Sequence, residues 1–385
     1  MKALINLGGL AEKKMKKILK TSASILLAVF LLFLIYSLIP RVFHSESSYG
    51  VALSKSNAVP SETLTTLTDY IANEANNARS VAIIHNELML LEAGETSKLI
   101  NLHSVRKSMM SLLIGIAQEK GFLMLHENLK DLGIDESKKP LTKQEKTATI
   151  RDLLMARSGV YLPAEAETDY AKSNRPKREQ YKPGEFHFYN NFDFNVLGAI
   201  LEQKTGQSIG QFMEDQLAKP LGLQDFSAAN VVYNSPWPVP NKSQSDYPVF
   251  WIYMSARDLA KVGAMVGQKG RWMGQQIVSE RWIEESTQPL SALDESREPY
   301  DAFAYSWLID SDEGTIWFDG YGGQFLLIDP QLNLCIAQQN FTGNSLLSSG
   351  LFFMKQNRSG WRTDVMHLHQ VLKDVLSPVV PNKTP

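Results

Sequence analysis

A serine and a lysine stand three positions apart in the segment Ser104-Val-Arg-Lys107. Apolar residues recur behind them at helical spacing as far as Gly121, which predicts a helix with Ser104 at its start. The two side chains then lie on one face of the helix, with Cβ atoms about 5–6 Å apart. A serine hydroxyl becomes a nucleophile when a neighbour takes its proton, and a lysine can do so when burial keeps its amine neutral. The alternative interpretation is a serine that only caps the helix and a lysine in contact with solvent.

The segment Tyr189-Asn-Asn191 could supply two further groups, a phenol and an amide. It follows a turn-rich stretch and precedes a predicted helix that begins near Phe192. A phenol near a lysine can carry protons to and from a leaving group, and the amide of Asn191 can orient a lysine and a substrate carbonyl. The alternative is an aromatic loop that packs on the core.

A glycine-rich segment that begins at Asp319 separates two runs of apolar residues that are typical of strands. Glycines let the backbone approach a ligand closely, and N–H groups at this point could complete an oxyanion hole with the N–H of Ser104. A plain hairpin turn is the alternative. The candidate residues of this segment are Tyr321, Gly322, Gly323 and Gln324.

Three other patterns are interpreted as not catalytic. The segment Gly206-Gln-Ser-Ile-Gly210 fits a nucleophile elbow, but that turn must follow a strand, and here a predicted helix precedes it. The segment Lys204-Thr-Gly206 lies at the end of the same helix. His367 and His369 share the last predicted helix with no third ligand nearby in sequence, so a solvated helix face is expected there and no metal site.

Strand signals lie near both ends of the chain, with helical signals between them. A hairpin is predicted from Ser80–Ile84 and Leu88–Glu92. Residues 121–247 contain several prolines and are predicted to form a mostly helical insertion. The predicted fold class is α/β: one antiparallel sheet built from both ends of the chain, flanked by helices, with an inserted helical lobe. Later strands are predicted at Tyr305–Ile309, Thr315–Phe318, Gln324–Ile328 and Leu334–Gln339.

The segment Ser22–Ile39 contains no charged residue and, at about 1.5 Å rise per residue, is long enough to cross a bilayer core. Lysines cluster before it and only Arg41 follows closely, which predicts a cytoplasmic N-terminus and a periplasmic domain on a single-pass inner-membrane protein. A cleaved signal peptide is the alternative, but no Ala-x-Ala site follows. The predicted parts are a basic tail (1–20), a transmembrane anchor (21–39), a linker (40–61), the main domain (62–376) and a short tail (377–385).

The composition excludes several classes of protein. With 44% hydrophobic and 21% charged residues, the chain should fold rather than stay disordered. A net charge of -2 gives no indication of nucleic-acid binding. The single cysteine, Cys335, excludes an internal disulfide and a cysteine-based metal site, and its apolar neighbours predict a position in the core.

Taken in order along the chain, these segments resemble the serine β-lactamase and penicillin-binding superfamily. The closest likeness is to its class C-like branch, which includes esterases, D-amino-acid peptidases and 6-aminohexanoate-dimer hydrolases. The resemblance covers roughly residues 62–375. It depends on His103–Ser108, Thr149–Leu154, Arg157–Gly159, Pro183-Gly184, Tyr189–Asn191, Asn195–Gly198, Pro220–Gly222 and Ser255–Asp258.

The resemblance implies a β-lactamase/transpeptidase-like fold and a role for each candidate. Ser104 would be the acylated nucleophile, and Lys107 would be its base or share that role with Tyr189. Tyr189 would pass the proton to the leaving group, and Asn191 would hold the substrate. The backbone N–H of Gln324 would be the second oxyanion donor. No metal or organic cofactor is implied, because the serine mechanism needs none.

The sequence departs from the penicillin-recognising members at Tyr321, where those proteins usually have a lysine. That cation helps to bind the carboxylate of β-lactams and D-Ala peptides, so its replacement favours a neutral ester or amide substrate. The first hypothesis is therefore a membrane-anchored ester or amide hydrolase. A D,D-peptidase or β-lactamase acting on cell-wall peptides or antibiotics is the second, and a non-catalytic binding or sensor domain is the third. The oligomeric state is left open.

Overall fold

The computed structural model describes residues 2–73, 80–233, 245–294, 298–355 and 361–377. The helices are α1 (Lys2–Leu38), α2 (Ser61–Asn73), α3 (Val105–Glu119), α4 (Ile150–Leu154), α5 (Asp169–Asn174), α6 (Asn191–Thr205), α7 (Ile209–Met213), α8 (Lys219–Leu221), α9 (Ala256–Gly267), α10 (Glu280–Ser286), α11 (Leu346–Lys355) and α12 (Trp361–Leu376). The strands are β1 (Ser80–His85), β2 (Leu88–Gly94), β3 (Ile100–Asn101), β4 (Val231–Val232), β5 (Trp251–Met254), β6 (Arg271–Trp272), β7 (Gln275–Gln276), β8 (Ser291–Ala292), β9 (Ala302–Phe303), β10 (Leu308–Asp310), β11 (Thr315–Gly320), β12 (Gln324–Asp329) and β13 (Leu334–Gln339).

Within the described residues, eight strands form one antiparallel sheet in the order β2-β1-β13-β12-β11-β10-β9-β8. Strand β1 pairs with β13 over its whole length, so strands from the two ends of the domain lie side by side. The short strands β3, β5 and β4 form a separate small sheet. The predicted α/β architecture, with one antiparallel sheet assembled from both ends, is confirmed.

The large sheet is buried on both faces, and the alternation of side chains along β1 shows how. Ala82 and Ile84 point into a core shared with α3, α6 and α9, whereas Val81 and Ile83 point into a second core closed by α2 and α12. Successive residues of a strand face opposite sides of a sheet. Strands covered on both sides therefore appear in the sequence as continuous apolar runs.

The inserted lobe contains less helix than predicted. Two helical stretches are longer than two turns: α6, with 15 residues, and residues 209–221, in which a π-helical segment (Glu214–Ala218) joins α7 to α8. Helices α4 and α5 are single turns or little more. The helix ends follow local signals: Gly206 adopts φ +70° at the end of α6, and the Ser208 hydroxyl caps α7 by accepting from Gln211 N–H. The prediction that Gly206–Gly210 and Lys204–Gly206 mark helix boundaries is confirmed.

Helix α1 includes Lys20–Leu38, a 19-residue stretch with a mean hydropathy of 2.3. Its length and composition suit a membrane span, and they equally suit a signal sequence. The apolar side chains from Ile25 to Leu38 are mostly exposed, because the folded domain does not cover them.

The segment that the sequence predicts as a linker, residues 40–61, lies on the surface of the domain. Val42 and Val59 are buried, and the buried Lys261 ammonium donates to the Val51 and Gly222 carbonyl oxygens at 2.5 and 2.6 Å. The polar side chains of the segment give no indication of this position, because the backbone makes most of its contacts with the domain. Backbone N–H groups of this segment donate hydrogen bonds to carbonyl oxygens of the domain: Arg41 to Asn344, Ser47 to Gln224, Val51 to Gly222 and Ser56 to Met89.

The contact between α9 and the sheet leads to a stability prediction. A Cβ atom at Gly263 would lie 2.3 Å from the Cys335 sulfur and 2.9 Å from a Leu326 methyl carbon, and Cys335 is buried as predicted. We expect Gly263→Ala to destabilise the fold by about 1–3 kcal/mol through overpacking, measured as a lower thermal midpoint. Gly350→Ala is the matched control, because a Cβ there meets no atom within 4 Å. Equal midpoints for Gly263→Ala and wild type would contradict the described packing.

Candidate active site

Ser104 lies where β3 passes into α3, and its hydroxyl is not used as a helix cap. The residue occupies the N-cap position with φ −71° and ψ −18°, yet its side chain makes no capping hydrogen bond. The residue before it, His103, has φ +47°, a conformation that non-glycine residues rarely adopt. His103 N–H donates to Asn101 Oδ1 at 2.9 Å, and its Nε2 lies 2.9 Å from Thr342 Oγ1. These contacts hold the turn that presents Ser104.

Lys107 is buried beneath Ser104 and touches both other candidate groups. Lys107 is only 3% exposed, so it is not a solvated surface lysine. The Lys107 Nζ donates to Ser104 Oγ at 3.5 Å and to the Tyr189 hydroxyl at 2.5 Å. It also lies over the rings of Tyr189 and Phe194, at 3.9 and 4.6 Å from the centroids. One amine thus joins a serine and a tyrosine that are far apart in sequence.

The surroundings of Lys107 favour its neutral form. Burial lowers the pKa of its ammonium well below the usual 10.5, and the positive charge of Arg106 lowers it further. No carboxylate forms an ion pair with it among the described residues. Burial also lowers the pKa of His103 to about 3, so this imidazole stays neutral beside the site. The site therefore contains an amine whose neutral, proton-accepting form is favoured by its surroundings.

Tyr189 is fixed by the start of α6 and by aromatic packing. The next residue, Asn190, caps α6 by accepting from Phe192 N–H, and its amide donates to Val160 O at 2.5 Å. The ring of Tyr189 lies 5.1 Å from that of Phe194 and 6.1 Å from that of Phe303. These contacts direct the phenol toward Lys107.

Asn191, predicted to hold substrate, is the first residue of α6 and is nearly buried. Its amide nitrogen donates to the carbonyl oxygens of Glu165 and Ala166. The amide group therefore secures the loop that crosses in front of α6. Its role toward a substrate stays a prediction.

The glycine-rich turn between β11 and β12 lies against the start of α3, beside Ser104. A Cβ at Gly320 would lie 2.5 Å from Leu102 O and 3.1 Å from a Val105 methyl carbon, so only glycine permits this approach. Gly322 and Gly323 both have φ above +80°, and these conformations form the turn. The structure thus brings this turn and Ser104 together, although 216 positions separate Ser104 from Gly320.

Two side chains of this turn have contrasting environments. Tyr321 is 37% exposed, and its ring meets that of His103 edge to face at 5.6 Å. Gln324 is buried, and its amide donates to Asn340 O at 2.8 Å. Tyr321 therefore borders the mouth of the site, whereas the Gln324 side chain holds β12 in place and leaves only its backbone for a substrate.

A cleft of about 550 Å³ has Tyr189 as one of its lining residues. The rings of Tyr181 and Phe186 stack there at 4.3 Å and 16°. The charged lining residues are Lys177, Asp294 and Arg175, which pairs with Glu167 at 2.5 Å. Of the three candidate catalytic residues, Tyr189 lines the cleft, whereas Ser104 and Lys107 are not among its lining residues.

The sequence analysis missed Arg106, which the structure places fully in the interior. Its guanidinium donates to Asn195 Oδ1 at 3.1 Å and lies 4.6 Å from the Phe250 ring centroid. Burial lowers its pKa to about 10, so it remains a cation near neutral pH. The only available signal was a second basic residue next to Lys107, at the start of a helix with a long apolar run.

The described residues contain no group of three or more His, Cys, Asp or Glu side chains that could hold a metal. His369, expected on a solvated face, is instead nearly buried and hydrogen-bonds Asp329 at 2.9 Å. His367 is exposed and lies against the Tyr70 ring. These two histidines contact different partners and serve the packing of α12.

Removing the phenol of Tyr189 tests its part in the site. We expect Tyr189→Phe to lower kcat for p-nitrophenyl ester hydrolysis by about 100-fold with little change in KM, because proton transfer is lost and the packing is kept. Steady-state kinetics measure both constants. Tyr181→Phe is the matched control, since its ring stacks in the cleft without contacting Lys107. A Tyr189→Phe variant as fast as Tyr181→Phe would show that the phenol is dispensable.

Comparisons with known proteins identify a family and a common fold. The sequence profile of the family described as Beta-lactamase matches residues 80–338. Protein flp from Staphylococcus aureus is 24% identical over 229 residues, which cover 50% of this chain and 43% of that protein. The chain thus matches about half the length of this relative.

Solved structures show the same fold at low sequence identity. A proposed 6-aminohexanoate-dimer hydrolase from Bacillus anthracis is 17% identical with a TM-score of 0.55, and the match covers 85% of this chain and 91% of the other. A penicillin-binding protein homologue from Caulobacter crescentus is 14% identical with a TM-score of 0.55, covering 77% and 95% of the two chains. At these identities the likeness concerns the fold.

Proposed function

The chain belongs to the β-lactamase family of serine hydrolases, and on that premise we propose that it cleaves an ester or amide through an acyl-enzyme on Ser104. The observation that carries the proposal is the buried Lys107 amine, 3.5 Å from Ser104 Oγ and 2.5 Å from the Tyr189 hydroxyl. A neutral base within reach of a partly exposed serine is the arrangement that activates a hydroxyl.

The proposed reaction has two halves. Ser104 Oγ bonds to the substrate carbonyl carbon while its proton passes to Lys107, directly or through Tyr189. The bond to the leaving group then breaks, and Tyr189 returns the proton to that group. A water molecule repeats the same steps on the acyl-enzyme and frees Ser104. The division of the base role between Lys107 and Tyr189 remains open.

The negative charge that develops on the carbonyl oxygen needs donors close by. The N–H groups of Ser104 and Gln324 are proposed for this role, because the turn of Gly320 approaches the start of α3 within van der Waals distance. Ser104 also lies at the N-terminus of α3, where the helix dipole favours an anion. Gly322 and Gly323 would give the substrate access to this backbone.

The proposed substrate is a neutral ester or amide. Tyr321 at the mouth supplies no positive charge, and the stacked Tyr181 and Phe186 offer an aromatic wall. A D,D-peptidase or β-lactamase is the second candidate, and one observation favours it: Lys177 lines the cleft and could attract a carboxylate. Helix α1 is proposed as a single-pass inner-membrane anchor with the domain in the periplasm.

The test is labelling of the full-length chain in detergent with a fluorophosphonate probe, followed by mass spectrometry of peptides. An adduct on the peptide that contains Ser104, absent in Ser104→Ala, supports the proposal. A parallel reaction with fluorescent penicillin separates the candidates, because stable penicillin labelling would support the second. No adduct with either probe would contradict both and favour a non-catalytic binding or sensor domain.

A further inference from the structure

Exposed apolar side chains surround the end of α1 where the chain enters the domain. Phe43 is 70% exposed, and Leu347 and Leu351, one turn apart on α11, are 39% and 42% exposed. Helix α11 packs beside α1, so these side chains continue the apolar surface of the candidate membrane span. We name Phe43, Leu347 and Leu351 the apolar collar. Clustered exposed apolar groups of this kind indicate a surface that meets lipid or another apolar partner.

The connection between α1 and the domain has no free spacer. Arg41 N–H donates to Asn344 O at 2.8 Å, and the Asn344 amide donates to Val42 O at 2.8 Å. The Arg41 guanidinium also donates to the Tyr253 hydroxyl at 3.2 Å. The domain is therefore held directly at the end of α1. The position of the collar relative to that end of the helix is fixed by the same contacts.

The same region reaches the candidate active site. Thr342, two residues before Asn344, contacts His103 at 2.9 Å, next to Ser104. Tyr321 packs between His103 and Phe352 of α11, with ring centroids 5.6 and 6.4 Å away. One edge of the site mouth is thus made by the helix that carries two of the collar residues.

We propose that the apolar collar rests in the outer surface of the bilayer that α1 crosses, and that Ser104 acts there on esters or amides whose apolar chain stays in the lipid. Both halves rest on the proposed function, the first on α1 as a membrane anchor and the second on Ser104 as the nucleophile. A substrate entering past Tyr321 would come from the membrane side, while its polar part would extend toward the cleft that contains Arg175 and Lys177. Apolar side chains next to a membrane span lower their free energy by entering the lipid interface.

The first experiment measures the position of the collar without using catalysis. The full-length Cys335→Ala chain is reconstituted in phospholipid vesicles, with Leu347→Cys or Lys143→Cys carrying an environment-sensitive fluorophore. Lys143 is the control because it lies on the exposed surface of the helical lobe. We expect doxyl lipids to quench the label at 347 about threefold more than the label at 143, as for a side chain at the lipid boundary. Equal quenching would overturn the proposal.

The second experiment connects the collar to substrate choice. We expect Leu347→Ser/Leu351→Ser to raise KM about tenfold for a p-nitrophenyl ester with a long acyl chain held in vesicles, with p-nitrophenyl acetate hydrolysis unchanged. Met273→Ser is the control, because it removes an exposed apolar side chain elsewhere. Equal effects on both esters would overturn the assigned substrate class. Strong quenching at 347 without hydrolysis of any ester would support the collar and contradict its link to catalysis.

Discussion

Replacing Ser104 with alanine is expected to lower kcat/KM for p-nitrophenyl butyrate by about 1,000-fold or more, because the acyl-enzyme can no longer form. The substitution removes only one oxygen from a residue that makes no capping hydrogen bond, so the fold should be unaffected. Initial rates of the full-length chain in detergent measure the loss, and the thermal midpoint checks the folding.

Ser111→Ala is the matched control for this variant. Ser111 lies on the same helix, two turns further on, and its buried hydroxyl has no hydrogen-bond partner among the described residues. We expect this variant to keep wild-type rates. Similar rates for Ser104→Ala and Ser111→Ala would mean that any observed hydrolysis does not use Ser104.

Lys107→Met is expected to lower kcat/KM by a similar factor, about 1,000-fold, because it removes the proposed base and keeps a side chain of similar length in an apolar site. Lys107→Arg distinguishes the base role from the role of a positive charge. An arginine stays protonated and cannot accept the serine proton, so we expect it to be as inactive as Lys107→Met. An active Lys107→Arg would assign the base role to Tyr189 alone.

The pH dependence of the wild-type enzyme follows from the same lysine. The amine must be neutral to accept a proton, so kcat/KM should rise with pH through the pKa of Lys107. Burial and the charge of Arg106 place this pKa well below 10.5. The rising limb should therefore lie well below the pH at which an exposed lysine loses its proton. A limb near 10.5, measured with an ester that is stable over that range, would contradict a buried neutral base.

Local spacing predicted the half of the site that lies on one helix. Ser104 and Lys107 are three residues apart, and helical periodicity alone places them on one face. Tyr189 is 82 residues from Lys107, and no periodicity connects them, so only the resemblance to a family suggested that they meet. The burial that makes Lys107 a possible base depends on aromatic rings such as Phe194, which come from other elements.

The long strands and the end of α6 were predictable because apolar runs and Gly206 are strong local signals. The two-residue strands β3, β4, β8 and β9 were not, since their pairing is decided by neighbours distant in sequence. Helix α11 was also missed. The position of residues 41–60 on the domain could not be read from side chains, because backbone groups make most of those contacts.

The pairing of β1 with β13 also affects how the chain folds. These partners are separated by about 250 residues. The chain must lose the entropy of closing so long a loop before the contacts between the two strands can stabilise the fold. Such non-local pairing slows folding. Until Leu334–Gln339 has been synthesised and has paired, one edge of β1 lacks its partner strand, and unpaired strand edges promote aggregation. The helical lobe, whose contacts are more local, is expected to form first and to wait for the end of the chain to complete the sheet.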